Sequence, residues 1–285
     1  MSDIIVRACL KFIQIILKPV ALFFFRTYYR KIDVPRPISK CHDLLLTPGH
    51  TLAEKIRNRE VTSEKIVGLF IERIKQIQPI LNCVVQERFD QAIEEARQVD
   101  QIMSNYLIDD KYSKSSAPLL GVPFSCKESI AAKGMPNSSG LVSRKNYTAQ
   151  EDSAVVKYMQ EAGAILICVT NTSECCMWIE SSNYITGTTR NPYNPSRIVG
   201  GSSGGEACII SACGSVWGIG SDIGGSIRIP SLFNGIYGHK PTLDLVPNDF
   251  QFPSFTGIQN KMLSIGPMCR YASDLSHLFK IMCGP

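Results

Sequence analysis

Residues 200–242 constrain this chain more than any other stretch: GGSSGGEACIISACGSVWGIGSDIGGSIRIPSLFNGIYGHKPT. The opening GGSSGG has no side chain larger than a hydroxymethyl. Such a tract is either a flexible tether or backbone held in a conformation, or at an approach, that larger residues forbid. The flanks argue against the tether. NPYNPSRIV upstream and EACIISACG downstream are too apolar and β-branched to border a solvated linker. The tract is therefore expected inside a packed domain.

Three places carry candidate chemistry. Lys127 ends the apolar run LLGVPFSCKE; burial there disfavours its charged form and makes it a candidate base, and a surface lysine at a strand end is the plainer alternative. Ser202 and Ser203 sit within GGSSGG. Ser226 follows two glycines in GIGSDIGGSIRIP, where backbone N–H groups can converge as an oxyanion hole requires, or where the serine simply caps a helix. The same glycines read G-x-G-x-x-x-G, one residue off the dinucleotide fingerprint. Pro230 discourages a helix directly on that turn, and Asp244 and Asp249 lie among turn residues. No GxxxxGK[ST] occurs, which excludes a P-loop, and a Ser/His/Asp triad would have to recruit His239 or His277, which is not expected.

Upstream, helical and strand patterns alternate. HTLAEKIRNRE is predicted helical, as is VTSEKIVGLFIERIKQIQP, opened by Thr62/Ser63 and stopped near Pro79. ILNCVVQE reads as a strand, RFDQAIEEARQVDQIMS as a charged helix and DDKYSKSSAP as a polar loop. LLGVPFSCKE is predicted a buried strand, EDSAVVKYMQEAG a helix ended by glycine, and AILICVT a second buried strand. Helices alternating with strands imply an α/β sheet covered on both sides. The last residues, LFKIMCGP, read as helical and apolar, which is the pattern of a fold that continues.

At 44% hydrophobic and 19% charged residues the chain has material for a sizeable core. Thirty basic against 25 acidic residues, thinly spread, form no basic stripe, so nucleic acid is not an expected partner. The 11 cysteines include no CxxC, and the four histidines, His42, His50, His239 and His277, offer no zinc spacing. Free, mostly buried thiols are expected. Sequons occur at Asn137, Asn146 and Asn171; the first and last fall in motifs expected to be packed.

The N-terminus differs in kind. ACLKFIQIILKPVALFFF (8–25) is apolar but interrupted by Lys11, Lys18 and Pro19. As a helix it reaches about 27 Å, slightly short of the roughly 30 Å hydrocarbon core. RTYYRK follows in place of a small-residue cleavage site. Membrane attachment is expected, through a transmembrane helix or an interfacial segment, with a buried core helix as the alternative. Arg26, Arg30, Lys31, Arg36 and Lys40 favour a cytoplasmic body. The expected organisation is a membrane-association segment over 1–30, a proline-bearing connector over 31–48 and a catalytic-type domain over 49–285.

Read together, GGSSGGE, G-x-G-[ST]-D-x-GGS-x-R-x-P and G-x-x-G-x-KP (200–242) resemble the amidase signature family. QPILNCVV, LLGVPFSCKE, GMPNSSG, AGAILICVTNTSE and NPYNPSRIVGGSSGG follow in that family's order, so the resemblance runs from about residue 45 to the end. It implies a mixed β-sheet flanked by helices, with no metal or cofactor. It implies Lys127 as base, Ser202 as proton relay on a cis peptide bond, and Ser226 as nucleophile. The N–H groups of Ile223, Gly224, Gly225 and Ser226 would hold the oxyanion. Cys176 and Met177 match cavity-lining positions, Ser203, Asp222 and Arg228 bracing ones, and His239 and Lys240 structural ones. The apolar N-terminus and the SSN, NPY and HKP stretches are most similar to members that cleave fatty-acid amides, which implies a lipid amide substrate and a setting at the endoplasmic reticulum or lipid droplets. Family members are much longer, their C-terminal part completing the sheet and acyl channel. Two alternatives follow: a truncated, inactive amidase-like binding protein, and an amidase for small polar amides. Acyl and amine specificity and oligomeric state are not legible in the sequence.

Overall fold

In a computed structural model the chain divides into two compact units, 1–36 and 37–285; the structure describes residues 2–29, 42–104 and 113–285. The described residues of the first unit form one helix, α1 (Ser2–Tyr29), with Pro19 inside it. Among the described residues no helix is long and apolar enough to cross a membrane. The transmembrane reading of 8–25 therefore gives way to a helix interrupted by Lys11 and Lys18, and only the interfacial reading is carried forward. Most of the expected connector lies outside the described residues, but its end belongs to the body: Leu45 is buried in the core and its carbonyl accepts from Arg270 at 2.8 Å.

The second unit runs α2 (Gly49–Arg57), α3 (Ser63–Leu81), β1 (Val84–Glu87), α4 (Phe89–Ser104), β2 (Pro123–Lys127), α5 (Ala154–Glu161) and β3 (Ile165–Thr170). It continues β4 (Ser182–Asn183), β5 (Gly187–Thr188), α6 (Gly204–Ser211), β6 (Trp217–Asp222), α7 (Arg228–Asn234), β7 (Tyr237–Gly238), α8 (Gly257–Asn260), β8 (Ser264–Cys269) and α9 (Ala272–Met282). The main sheet has six strands in the order β1-β3-β2-β6-β8-β7. β3, β2 and β6 are parallel, and β1, β8 and β7 run antiparallel to their neighbours, so the sheet is mixed as expected. Every residue of β2, β3, β6 and β8 is buried. Continuous apolar runs such as ILICVT are what a strand covered on both faces needs.

Local chemistry sets the element ends. Thr62 accepts from the Lys65 N–H at 3.2 Å and caps α3. The helix carries Pro79 in its last turn and stops two residues later, at Leu81, with Asn82 capping it in a left-handed conformation. ILNCVVQE is strand only from Val84, because the Gln78 side chain takes the Cys83 and Val84 N–H groups as the chain turns. Pro230 does not block a helix: it occupies the first turn of α7, where an N–H has no helical partner anyway. Among the described residues the cysteines are free thiols, most of them buried. Asn137 and Asn171 are buried, and Asn146 is exposed.

Parallel pairing brings the site together. β2 lies between β3 and β6, with Lys127 opposite Thr170 and Ser125 opposite Gly218. Residues two apart share a strand face, so Ser125 and Lys127 both turn toward α6, whose N-terminus is the GGSSGG tract.

Candidate active site

Lys127 is fully buried. Its Nζ donates to Ser202 Oγ at 2.6 Å and to Ser221 Oγ at 3.1 Å. Burial holds the lysine below its usual pKa, although Cys176, Asp222 and Glu206 pull the other way. A lysine kept toward its neutral form against a hydroxyl is equipped to take a proton.

The GGSSGG backbone is locked in place. Gly200 has φ +88°, and a Cβ there would meet the Pro230 backbone at 2.7 Å. The Gly201–Ser202 peptide is cis. The Ser202 carbonyl accepts from Thr172 Oγ1 at 2.9 Å and Ser181 Oγ at 3.1 Å. The Gly204 N–H donates to Ser181 Oγ at 2.8 Å. Ser203 ties the tract to β6, donating to the Ser221 carbonyl at 3.3 Å.

The GIGSDIGGSIR turn is organised by Asp222. Its carboxylate accepts from the Gly225 N–H at 2.7 Å, the Ile227 N–H at 3.0 Å, and Arg228 Nε and Nη2, each at 3.0 Å. Burial alone would raise this carboxyl, but the bonds from Arg228 and the backbone outweigh it and hold it below the usual range. Asp222 and Arg228 thus brace the turn. The Gly225 N–H, expected to face an oxyanion, is already engaged, which corrects its assignment; Ile223, Gly224 and Ser226 have no such bond among the described residues. The Ser226 carbonyl accepts from the Ser203 N–H at 3.1 Å, joining the two glycine-rich segments.

Ser202, Ser226, Ile223, Gly224, Cys176 and Met177 all line one open cavity of about 400 Å³, bordered elsewhere by apolar side chains that include Trp178, Ile229 and Leu263. Lys127 reaches this cavity through Ser202. No hydrogen bond joins the Ser226 hydroxyl to Ser202 among the described residues; the two share the cavity wall. Cys176 Sγ meets two hydroxyls, Thr172 Oγ1 at 3.5 Å and Ser139 Oγ at 3.6 Å. Burial raises its thiol, but Lys127 and the hydroxyl donors prevail, leaving it below the usual value. His239 packs edge-on to Phe279 at 4.9 Å, and Lys240 donates to Ser264 at 3.4 Å, outside the cavity.

Sequence reasoning passed over Ser221 and Glu206. Glu206 is fully buried beneath Lys127, accepting from Ser125 at 2.7 Å and Thr170 at 2.6 Å. Burial pushes its carboxyl up to about 8. Gly218 is the space the carboxyl fills, since a Cβ there would collide with Oε2. The missed signal was a single acid in an otherwise small and apolar helix. Glu128, beside Lys127, clamps the GMPNSSG loop through Ser138 and Ser139.

A family model described as "Amidase" matches residues 65–285. Fatty-acid amide hydrolase 2-B of Danio rerio is 52% identical over 85% of this chain and 46% of its own length. Fatty-acid amide hydrolase 2 of Homo sapiens is 49% identical over 88% of this chain and 47% of its own. Among solved structures, a fatty acid amide hydrolase superposes with a TM-score of 0.78 at 29% identity, over 84% of this chain and 41% of that one. The peptide amidase of Stenotrophomonas maltophilia gives 0.75 at 28%, over 84% and 48%. The chain spans about half the length of the relatives it matches.

Proposed function

Because the chain belongs to the amidase family, we propose that its site hydrolyses fatty-acid amides through Lys127, Ser202 and Ser226. The observation that carries this reading is the buried lysine hydrogen-bonded to a serine hydroxyl at 2.6 Å. Neutral Lys127 accepts the Ser202 proton, Ser202 accepts that of Ser226, and Ser226 Oγ attacks the amide carbonyl. The oxyanion of the tetrahedral intermediate is held by the N–H groups of Ile223, Gly224 and Ser226. The proton returns through Ser202 to the leaving amine as the C–N bond breaks. Water then adds to the acyl-enzyme by the same relay, releasing the fatty acid.

The lipid substrate is supported by the names of the relatives and by the apolar walls at Met177, Trp178, Ile179, Phe255 and Leu263. Those walls disfavour a small polar amide. Membrane association through α1 as an interfacial helix, with the body on the cytoplasmic side, belongs to the same proposal; exposed Phe23, Phe24 and Phe25 give that helix apolar surface. Sedimentation with phospholipid vesicles, with and without residues 1–30, tests it.

The test of the activity is hydrolysis of dodecanamide against acetamide by the purified chain. Release of dodecanoic acid, absent in Ser226→Ala, is the expected result. Hydrolysis of acetamide alone would overturn the lipid reading, and hydrolysis of neither would leave an amidase-like binding protein.

A further inference from the structure

One polar side chain in the cavity wall has no part in this chemistry. Gln251 is 6% exposed, and its carboxamide makes no hydrogen bond among the described residues, leaving Oε1 buried without a partner. Buried polar groups are nearly always paired, so an unpaired carboxamide at a cavity wall is a candidate contact for a ligand's polar group.

The backbone sets it between two cavities. Gln251 bridges to Ile130, between the bond from the Ala131 N–H to the Phe250 carbonyl at 3.1 Å and that from the Phe252 N–H to the Ser129 carbonyl at 2.8 Å. This short extended piece runs beside the segment that leaves Lys127. The Phe252 ring turns to one side, where Arg144 stacks on it at 3.9 Å in a second, smaller cavity. Gln251 lies between that pocket and the cavity holding Ser202 and Ser226, and lines both.

Resting on the hydrolase reading, we propose that Gln251 is a specificity-determining residue that hydrogen-bonds a polar group of the substrate. The other polar side chains lining the cavity, Ser202, Ser221, Ser226 and Cys176, belong to the reacting cluster or contact it. A hydroxyl or carbonyl oxygen on the ligand can accept from Nε2, the carboxamide edge that is not sealed as Oε1 is. An apolar ligand of the same size leaves Gln251 buried and unpaired, and unpaired groups are what polar sites discriminate by.

The test is calorimetric binding to the Ser226→Ala chain of two near-isosteric compounds, N-(2-hydroxyethyl)dodecanamide and N-propyldodecanamide. The hydroxyl compound is expected to bind about 3- to 10-fold tighter, the effect of one hydrogen bond. Adding Gln251→Leu is expected to abolish that preference by weakening the hydroxyl compound alone. Equal affinities with Gln251 present, binding of neither, or an equal loss for both in the leucine variant would each overturn the assignment. Turnover of the same pair by the wild type is scored separately. A preference in binding without turnover contradicts the hydrolase reading alone, and turnover without preference contradicts Gln251 alone.

Discussion

Lys127 and Glu206 are buried ionisable groups that meet at one strand, β2, which carries Lys127 and, two residues before it, the Ser125 that donates to Glu206. Burial moves both toward neutrality, the amine downward, the acid up to about 8. They differ in what surrounds them. Glu206 is enclosed by Ser125, Thr170 and Gly218, three strand residues, each within contact of its carboxyl. Lys127 touches Ser202, a residue of the cavity wall. One group is a sealed brace between α6 and the sheet, and the other has an outlet through which a proton can pass. Burial alone does not make a residue reactive; burial with a hydroxyl leading to a cavity does.

Removing the lysine is the largest break in this comparison. Lys127→Met should cost about 10²- to 10⁴-fold in hydrolysis, the range of a general base, measured with dodecanamide. Its stability should move the other way. The unfolded lysine binds its proton more tightly than the folded one, so folding is penalised at neutral pH, and the penalty shrinks only as pH rises toward the unfolded pKa. Thermal unfolding at pH 7 should show the methionine variant at least as stable as wild type, since a well-packed apolar replacement of a buried charge is often neutral or stabilising.

Glu206→Gln should separate the brace from the base. Activity should stay within about tenfold, because the amide still fills the Gly218 gap and meets one hydroxyl. The pH dependence should change. A carboxyl raised from 4.5 to about 8 binds more protons folded than unfolded, so the wild type loses stability as pH climbs through that window. The glutamine variant should lose that slope, as denaturant titrations from pH 5 to 8.5 would show. An unchanged slope would mean the carboxyl is ionised in the fold.

The smaller effects lie at the turn. Asp222→Ala strips a buried acceptor from the Gly225, Ile227 and Arg228 backbone N–H groups and should cost roughly 2–3 kcal/mol. Arg228→Ala removes only a partner that is 55% exposed and should cost about 0–1 kcal/mol. Equal losses in urea titrations would shift the organising role from the backbone bonds to the ion pair.

Much of this was legible in the sequence because it is local. Residues 200–242 place Ser202, Ser203, Asp222, Ser226 and Arg228 on one contiguous stretch. The apolar runs around Lys127 and Val169 mark strands buried on both faces. What was not legible depends on register. Glu206 is explained only when β2 and β3, about forty residues apart in the chain, deliver Ser125 and Thr170 to the same point. Ser221 becomes a lysine partner only once β6 lies beside β2. The bracing role of Asp222 was legible, but which N–H groups its carboxylate takes, that of Gly225 among them, was not. Gln251 sits in a stretch without periodicity, held by a single bridge.

The central claim is that Lys127 activates Ser226 through Ser202, and labelling with a fluorophosphonate tests it most directly. Ser226 Oγ should displace fluoride and carry the phosphonyl group, located by peptide mass spectrometry. The rate should rise with pH through the lowered lysine pKa and then level, and Lys127→Ala should slow it about 10²-fold or more. Label on another residue, or an alanine variant that reacts at the wild-type rate with the same pH profile, would contradict the account.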